Sequence, residues 1–200
     1  IQNPVHFLMA LANCQTADRI AVEVHFADFL RVFDTDILVN RPLIDTKQEL
    51  FPIDRIHELA KEGFIKACAP VHAGFMGGGG NQEKFKHETG PAIAEMFKNE
   101  DVDAVILQLV EVLATALQIG AEAIEAAGIP TIIIAALPPV VRQTGTPRAV
   151  APRVPMGANA GEPHNVEMQT GIVKATLEQL VKLDTPGKVV PLPFEYVAKV

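Results

Sequence analysis

The stretch that decides the fold is residues 104–135, which read AVILQLVEVLATALQIGAEAIEAAGIPTIIIA. Its two ends, Ala104–Leu109 and Thr131–Ala135, are short apolar runs containing Val and Ile, which is typical of buried strands. Between them, Val112–Ala127 carries Ala, Leu and Ile at helical spacing and stops before Gly128, a residue well suited to terminate a helix. The stretch therefore predicts a strand–helix–strand unit with parallel strands.

The same alternation extends in both directions from this unit. Upstream, a helix is predicted to end at Gly63, Ile65–Ala69 predicts a strand, and Glu83–Asn99 has helical spacing. Further predicted elements are the strands Phe7–Ala12, Ile20–Val24 and Phe29–Phe33, the helix Asn165–Leu183 and an edge pairing at Val189-Val190. We therefore predict one α/β domain over residues 1–200, with three layers, a mainly parallel sheet, helices on both faces and right-handed crossovers.

Residues 137–166 differ from this pattern because nine of these thirty positions are Pro or Gly. No regular element is expected at that density. Long segments of this kind inside a compact domain are usually functional, and the apolar and arginine residues here argue against solvated disorder. We therefore expect an ordered, Pro/Gly-rich binding loop at the carboxyl edge of the sheet.

The composition excludes several classes of function. The 200 residues carry 17 Lys and Arg against 24 Asp and Glu, a formal net charge of −7, which provides no basic surface for nucleic acid or an anionic membrane. The apolar stretches Val102–Ile119 and Ile129–Val141 contain acidic residues or a Pro pair, so neither predicts a membrane-spanning helix. Two cysteines and no metal-ligand spacing lead us to expect free thiols, a cytoplasmic location and no metal.

Ligands of open parallel sheets bind beyond the carboxyl ends of the strands, so the segments after each apolar run are candidate sites. Beyond Ile65–Ala69 the chain has a run of four glycines, whose backbone N–H groups can approach a ligand closely: Gly77, Gly78, Gly79 and Gly80. The run matches neither a P-loop nor a dinucleotide fingerprint, and a flexible turn is the alternative. His72, at the predicted strand end, is a candidate acid or base, although a lone His is more often structural.

Two further candidates follow other predicted strands. Glu111 lies amid apolar neighbours after Ala104–Leu109 and is a candidate acid or base, or else a solvent-facing residue early in the next helix. Cys14 follows the first predicted strand and is a candidate nucleophile. Cys68 lies within a predicted strand, where a buried inert thiol is expected.

The Pro/Gly-rich segment supplies groups that would recognise a carboxylate. Arg142 and Arg148 present guanidinium groups, whose paired donors suit such a ligand. Asn159 and Glu162 would complete a polar pocket for a small amino acid. The alternative is that these arginines form surface ion pairs with the excess acidic residues. We expect this segment and the glycine run to share one site at the carboxyl edge.

Six blocks of the chain carry a family resemblance: Phe51–Ile56, Glu62–Lys66, Ala69–Gly80, Ile132–Arg148, Ala149–Pro163 and Pro186–Val200. They closely resemble the small selenoprotein subunits of D-proline reductases, within the broader glycine/sarcosine/betaine reductase component B family. The resemblance is strong from Phe51 to Val200 and weak over the first fifty residues.

The resemblance implies an oxidoreductase that cleaves a C–N bond and opens the D-proline ring to 5-aminovalerate. In this family a pyruvoyl group in a partner subunit activates the proline nitrogen, and a selenolate attacks the α-carbon. The resemblance therefore implies a hetero-oligomer with a pyruvoyl-containing subunit, a small amino acid as substrate, and no cofactor in this chain itself.

The segment that would carry the nucleophile departs from the family pattern. Relatives have selenocysteine, with a Cys shortly after it, behind the strand that corresponds to Ala104–Leu109, whereas this chain has Val110 and Glu111 there. Three explanations stay open: a redox-inactive relative with another chemistry, a recorded segment that differs from the natural one, or a thiol supplied by a partner. Two alternatives to the reductase therefore remain: a racemase or lyase that uses Cys14, His72 or Glu111, and a non-catalytic subunit.

Overall fold

The structure is a computed structural model that describes residues 5–11, 52–69, 72–76, 82–108 and 114–196. The strands predicted at Ile20–Val24 and Phe29–Phe33 lie outside these residues. Within the described residues, helices cover both faces of a six-stranded sheet. This is the three-layer α/β architecture that the alternation of strands and helices predicts.

The sheet has the spatial order β2-β1-β3-β4-β5-β6. Its strands are β1 (Val5–Leu11), β2 (Ala73–Met76), β3 (Ala104–Gln108), β4 (Thr131–Ile134), β5 (Arg148–Arg153) and β6 (Lys188–Glu195). Strands β3 to β6 are parallel and lie side by side in chain order. The predicted pairing of Val189 and Val190 forms in β6, the outermost strand, which also contains Pro191 and Pro193.

Strand β1 runs antiparallel to both of its neighbours. Phe7 lies opposite Gln108 of β3, and Val5 lies opposite Met76 of β2. Strands β2 and β3 therefore end at the same side of the sheet, which we call the carboxyl edge. The opposite side, where β3 to β6 begin, is the amino edge.

Six α-helices and one π-helical turn accompany the sheet in the described residues. They are α1 (Ile53–Lys61), α2 (Gln82–Lys84), the π-helical turn Phe85–Thr89, α3 (Gly90–Asn99), α4 (Ala114–Ala126), α5 (Pro138–Thr144) and α6 (Val166–Lys182). Helices α1 and α6 pack on one face, and α3, α4 and α5 pack on the other. No helix in the described part of the chain is both long and apolar enough to span a membrane.

Strands β3 and β4 form the centre of the core, and every residue in them is buried. Successive side chains of a strand point to opposite faces. Val105 and Leu107 accordingly pack with the α3/α4 layer, whereas Ile106, Ile132 and Ile134 pack with the α1/α6 layer. Burial on both faces explains why these strands appear in the sequence as continuous apolar runs.

The strand predicted at Ile65–Ala69 is wrong. Residues 64–69 form bends and irregular backbone, and the strand lies later, at Ala73–Met76. Both hydrogen-bonding sides of β3 are occupied, by β1 and by β4, so the apolar run after α1 finds no open ladder there. Cys68 and Ala69 are instead fully buried in the apolar clusters of the two layers.

The expectation that residues 137–166 contain no regular element is also wrong. Pro138 and Pro139 occupy the first turn of α5, where backbone N–H groups have no intrahelical acceptor and proline is tolerated. Gly145 caps that helix in the left-handed conformation, and β5 follows. Proline and glycine therefore mark the ends of elements here, and the irregular part is residues 154–165, which we call the carboxyl-edge loop.

The crossovers between the parallel strands do not share one hand. Helices α4 and α5 connect β3 to β4 and β4 to β5 on one face, whereas α6 connects β5 to β6 on the other face. Because these strands advance in one direction across the sheet, a change of face reverses the hand. The expectation of uniformly right-handed crossovers is therefore wrong, and the carboxyl-edge loop provides the chain length to change face.

Arg148 and Glu125 join several elements at the amino edge. Glu125 Oε1 accepts hydrogen bonds from Arg148 Nη1 and, at 2.8 Å each, from the backbone N and the Oγ1 of Thr131. Arg148 Nε donates to the carbonyl oxygen of Leu183 at 2.8 Å. These bonds connect α4, the first residues of β4 and β5, and the end of α6.

Gly161 fixes the approach of the carboxyl-edge loop to α6. Its φ is 118°, a region that L side chains rarely adopt. An added Cβ would lie 3.2 Å from Met168 Cγ and 3.3 Å from Ile172 Cδ1. Both the backbone conformation and the packing on α6 therefore require glycine.

Replacing Arg148 with Leu is expected to lower the free energy of unfolding by about 1–3 kcal/mol, because Glu125 and the Leu183 carbonyl lose a partly buried charged donor. Urea denaturation measures this change. Arg153→Leu is the matched control, since the exposed pair of Arg153 with Glu195, at 3.7 Å, should contribute about 0–1 kcal/mol. Equal losses in the two variants would contradict a structural role of the amino-edge bonds.

Replacing Gly161 with Ala is expected to destabilise the protein by about 1–3 kcal/mol through backbone strain, with a further loss from crowding against α6. Gly157→Ala is the control for crowding, because Gly157 also has a positive φ, 92°, but an added Cβ there would meet no atom within 4 Å. Thermal unfolding of both variants measures the difference. A larger loss for Gly157→Ala would show that contact with α6 does not constrain Gly161.

Candidate functional site

The carboxyl edge gathers the ends of strands and the beginnings of two helices. Strand β2 reaches it at Met76 and β3 reaches it at Gln108. The carboxyl-edge loop leaves the end of β5 there and leads into α6. Helix α1 is brought to the same edge because Arg55, near its beginning, contacts Gln169 in the first turns of α6.

A hydrogen-bond network orders the carboxyl-edge loop. Asn165 Oδ1 accepts from the backbone N of Met168 at 3.0 Å and caps α6, while Asn165 Nδ2 donates to Glu162 Oε2 at 2.9 Å. The backbone carbonyl of Glu162 accepts from Gln169 Nε2 at 2.9 Å. Asn159 is fully buried, and its Oδ1 accepts a backbone N–H of the same loop at 3.3 Å. The predicted residues Asn159 and Glu162 therefore both lie at the carboxyl edge and hold its loop.

Arg55 places a buried cation at this edge. The residue is 8% exposed, its Nη1 donates to Gln169 Oε1 at 3.3 Å, and its Nη2 pairs with Glu58 Oε1 at 2.6 Å. Its Nε is also buried and has no hydrogen-bond partner among the described residues. A guanidinium with one unused N–H donor is suited to bind an anionic oxygen.

Gln108 places an unpaired amide at the same edge. It is the last residue of β3 and 1% exposed, yet neither its Oε1 nor its Nε2 has a hydrogen-bond partner in the described part of the chain. Buried polar groups are nearly always hydrogen-bonded, and an unpaired one costs about 1–3 kcal/mol. Such an exception at the end of a central strand marks a position where a ligand group would be stabilising.

His72 lies within the sheet rather than beyond its edge. It precedes β2 instead of following a strand, and the register places its neighbour Ala73 level with Leu107. Its Nε2 is 4.0 Å from the Sγ of Cys68, which is fully buried as predicted for an inert thiol. The correction follows from the misplaced strand, since His72 was assigned to a strand end that does not form.

Of the two predicted arginines, Arg148 lies apart from Asn159 and Glu162. Arg148 begins β5 and is therefore at the amino edge, where its guanidinium bonds Glu125 and the Leu183 carbonyl. Arg142 is an exposed residue of α5. Substrate binding by these two arginines stays a prediction, and the position of Arg148 does not support it. The remaining predicted site residues lie outside the described residues: Cys14, Gly77, Gly78, Gly79, Gly80, Val110 and Glu111.

Arg55, Gln108 and Gln169 were not predicted as site residues from the sequence. A usable signal was present for two of them: Gln108 is the polar residue of an otherwise apolar strand, and Arg55 stands between the buried residues Ile53 and Ile56. Gln169 carries no local signal, because its role follows from the packing of α6 against α1. Among the described residues, no group of three or more His, Cys, Asp or Glu side chains could hold a metal ion.

Comparison with known proteins identifies a relative. No family model matches the chain, and no solved structure matches it. The D-proline reductase subunit gamma of Acetoanaerobium sticklandii is 64% identical over 152 residues, which are 76% of this chain. The matched region spans 63% of the length of that relative. With this identity over most of its length, the chain belongs to the family of D-proline reductase small subunits.

Proposed function

We propose that the chain is a subunit of a D-proline reductase-like enzyme that opens the D-proline ring to 5-aminovalerate together with a pyruvoyl-containing partner. The observation that carries the proposal is the 64% identity to a D-proline reductase subunit gamma. The name of that relative denotes one subunit of a multi-subunit enzyme, which supports a hetero-oligomer.

The proposed reaction breaks the bond between the ring nitrogen and the α-carbon of D-proline. Two electrons and two protons enter, the α-carbon becomes a CH₂ group, and the nitrogen remains on the chain as a primary amine. A dithiol donates the electrons and is oxidised to a disulfide. The partner's pyruvoyl carbonyl would make the ring nitrogen a better leaving group.

This chain's contribution is the carboxyl edge. An amino-acid substrate needs a cation for its carboxylate and neutral polar groups for the rest of its polar surface, and the edge combines Arg55 with the amides of Gln108 and Gln169. Residues 109–113 directly follow Gln108 in the sequence. The family resemblance assigns the nucleophile to that segment.

A subunit without its own nucleophile is the second candidate. Residues 109–113 contain neither cysteine nor selenocysteine. Cys68, the cysteine in the described part of the chain, is fully buried beside His72. In this case the chain shapes the substrate site, and the reacting thiol comes from a partner.

The chain co-purified with its natural partner subunit is expected to convert D-proline to 5-aminovalerate when dithiothreitol is supplied. Mass spectrometry of the reaction mixture measures the product. The controls are the chain alone, L-proline as substrate, and the complete mixture without reductant. Formation of L-proline from D-proline without reductant would select the racemase, and no product from the reduced complex would contradict the reductase.

Replacing Val110 with Cys is expected to raise the rate of 5-aminovalerate formation by about tenfold or more, because a positioned thiol replaces a diffusing one. The matched control is Val181→Cys, which installs an equally new thiol on α6 at a position that is 87% exposed. Thiol labelling should modify both variants, whereas the turnover should rise in Val110→Cys alone. Equal turnover in both variants would place residue 110 outside the reacting site.

A further inference from the structure

We propose that Arg55 and Gln108 together bind the carboxylate of a small amino acid at the carboxyl edge. The sequence predicted that Arg142 and Arg148 bind the carboxylate, whereas the structure has a buried cation, Arg55, and a buried amide, Gln108, elsewhere. The choice of an amino acid as ligand rests on the proposed function. The two binding residues themselves follow from the geometry.

Gln108 is unpaired although it is buried. Its side chain is 1% exposed, and both Oε1 and Nε2 lack hydrogen-bond partners in the described residues. A leucine or isoleucine would fill this position in β3 without that cost, as in the neighbouring positions Ile106 and Leu107. A ligand that pairs with the amide accounts for its presence.

Gln108 and Arg55 lie on the same face of the sheet. Side chains two positions apart in a strand point to the same face, and Ile106 packs in the α1/α6 cluster. Ile134 is the register partner of Gln108 and packs in that cluster too. The amide of Gln108 is therefore directed to the layer that contains Arg55, at the edge where α1 and α6 begin.

Arg55 is fixed by two side-chain partners but keeps one unused hydrogen-bond donor. Glu58 and Gln169 engage its two terminal nitrogens and fix the orientation of the guanidinium. The Nε remains buried without a partner in the described residues. A positioned donor of this kind loses little conformational freedom when it binds a carboxylate oxygen.

The available groups match an amino acid better than a phosphate. Arg55 Nε and Gln108 Nε2 are donors for a carboxylate, and Gln108 Oε1 is an acceptor for the N–H of an amine. The carboxylates of Glu58 and Glu162 also lie at this edge and disfavour a doubly charged anion. A small zwitterion offers a hydrogen-bond partner of the right kind to each of these three unpaired atoms.

The amino edge provides an internal comparison. Arg148 is also partly buried, but its bonds to Glu125 and the Leu183 carbonyl are sufficient to explain its position structurally. No side-chain atom of Arg148 is buried without a partner, in contrast to Arg55 and Gln108, when the described residues are compared.

The test measures the binding of D-proline, 5-aminovalerate, pyrrolidine and inorganic phosphate to the protein co-purified with its partner, by calorimetry and ligand-observed NMR. Arg55→Gln is expected to weaken D-proline binding about ten- to a hundredfold, since a charge-assisted hydrogen bond is lost. Gln108→Leu is expected to weaken it about two- to tenfold and to raise the unfolding midpoint, because an unpaired buried amide is removed. Pyrrolidine, which has no carboxylate, should bind Arg55→Gln and wild type equally.

Two control variants separate binding from structure. Glu58→Gln removes the negative charge beside Arg55 but keeps a side-chain oxygen that accepts from Nη2, so the guanidinium stays oriented and D-proline affinity should not fall. Lys182→Gln removes one positive charge at the far end of α6 and should also leave affinity unchanged. A loss in Glu58→Gln equal to that in Arg55→Gln would assign Arg55 a structural role and overturn the inference.

Other outcomes distinguish this inference from the proposed function. Unchanged D-proline affinity in both Arg55→Gln and Gln108→Leu, a preference for phosphate, or no binding of D-proline or 5-aminovalerate by the wild-type protein would each overturn the inference. Formation of 5-aminovalerate by those same proteins would leave the proposed function intact. Arg55-dependent D-proline binding without product formation supports the inference and contradicts the reductase.

Discussion

The parallel pairing of β3 with β4 is the constraint on which the rest of the structure depends. Four consecutive residues of each strand are in register, from Val105 with Thr131 to Gln108 with Ile134, and all of them are buried. Every helix layer packs on these side chains, and every other strand is added outward from this pair. The pairing also fixes which ends of the chain segments meet at the carboxyl edge, and thus the location of the candidate site.

The two edges of the sheet treat their polar groups differently. At the amino edge, Glu125 satisfies Thr131 and Arg148, so a polar cluster there joins elements and needs no ligand. At the carboxyl edge, Gln108 and the Nε of Arg55 are buried without partners in the described residues. The unpaired polar groups at the carboxyl edge lower the stability of the fold at the position where a ligand is expected. The hydrogen-bonded groups at the amino edge raise it. Binding sites commonly differ in this way from the folds that carry them.

The sequence predicted the parts of the fold that are determined locally. Residues 104–135 combine two apolar runs with a glycine-terminated helix, and these features suffice for the central unit. The strand predicted at Ile65–Ala69 does not form, because its apolar residues are buried in the clusters without joining the ladder, and β3 is already paired on both sides. Pro138 and Pro139 count against a helix in the sequence, but proline disrupts only the interior of a helix and is well tolerated in its first turn. For the site, Asn159 and Glu162 lie in the carboxyl-edge loop and their binding role stays a prediction, whereas the location of Arg148 depends on where β5 begins relative to its neighbours.

Two prolines, Pro191 and Pro193, lie in β6 at one edge of the described sheet. Among the described residues, β6 has a strand on one side alone, and a strand from another chain would hydrogen-bond along its other side. Pro191 and Pro193 have no N–H to offer such a strand, so that flank cannot act as a regular template. These two prolines therefore oppose extension of the sheet past β6 and protect this edge against pairing with a strand of another chain.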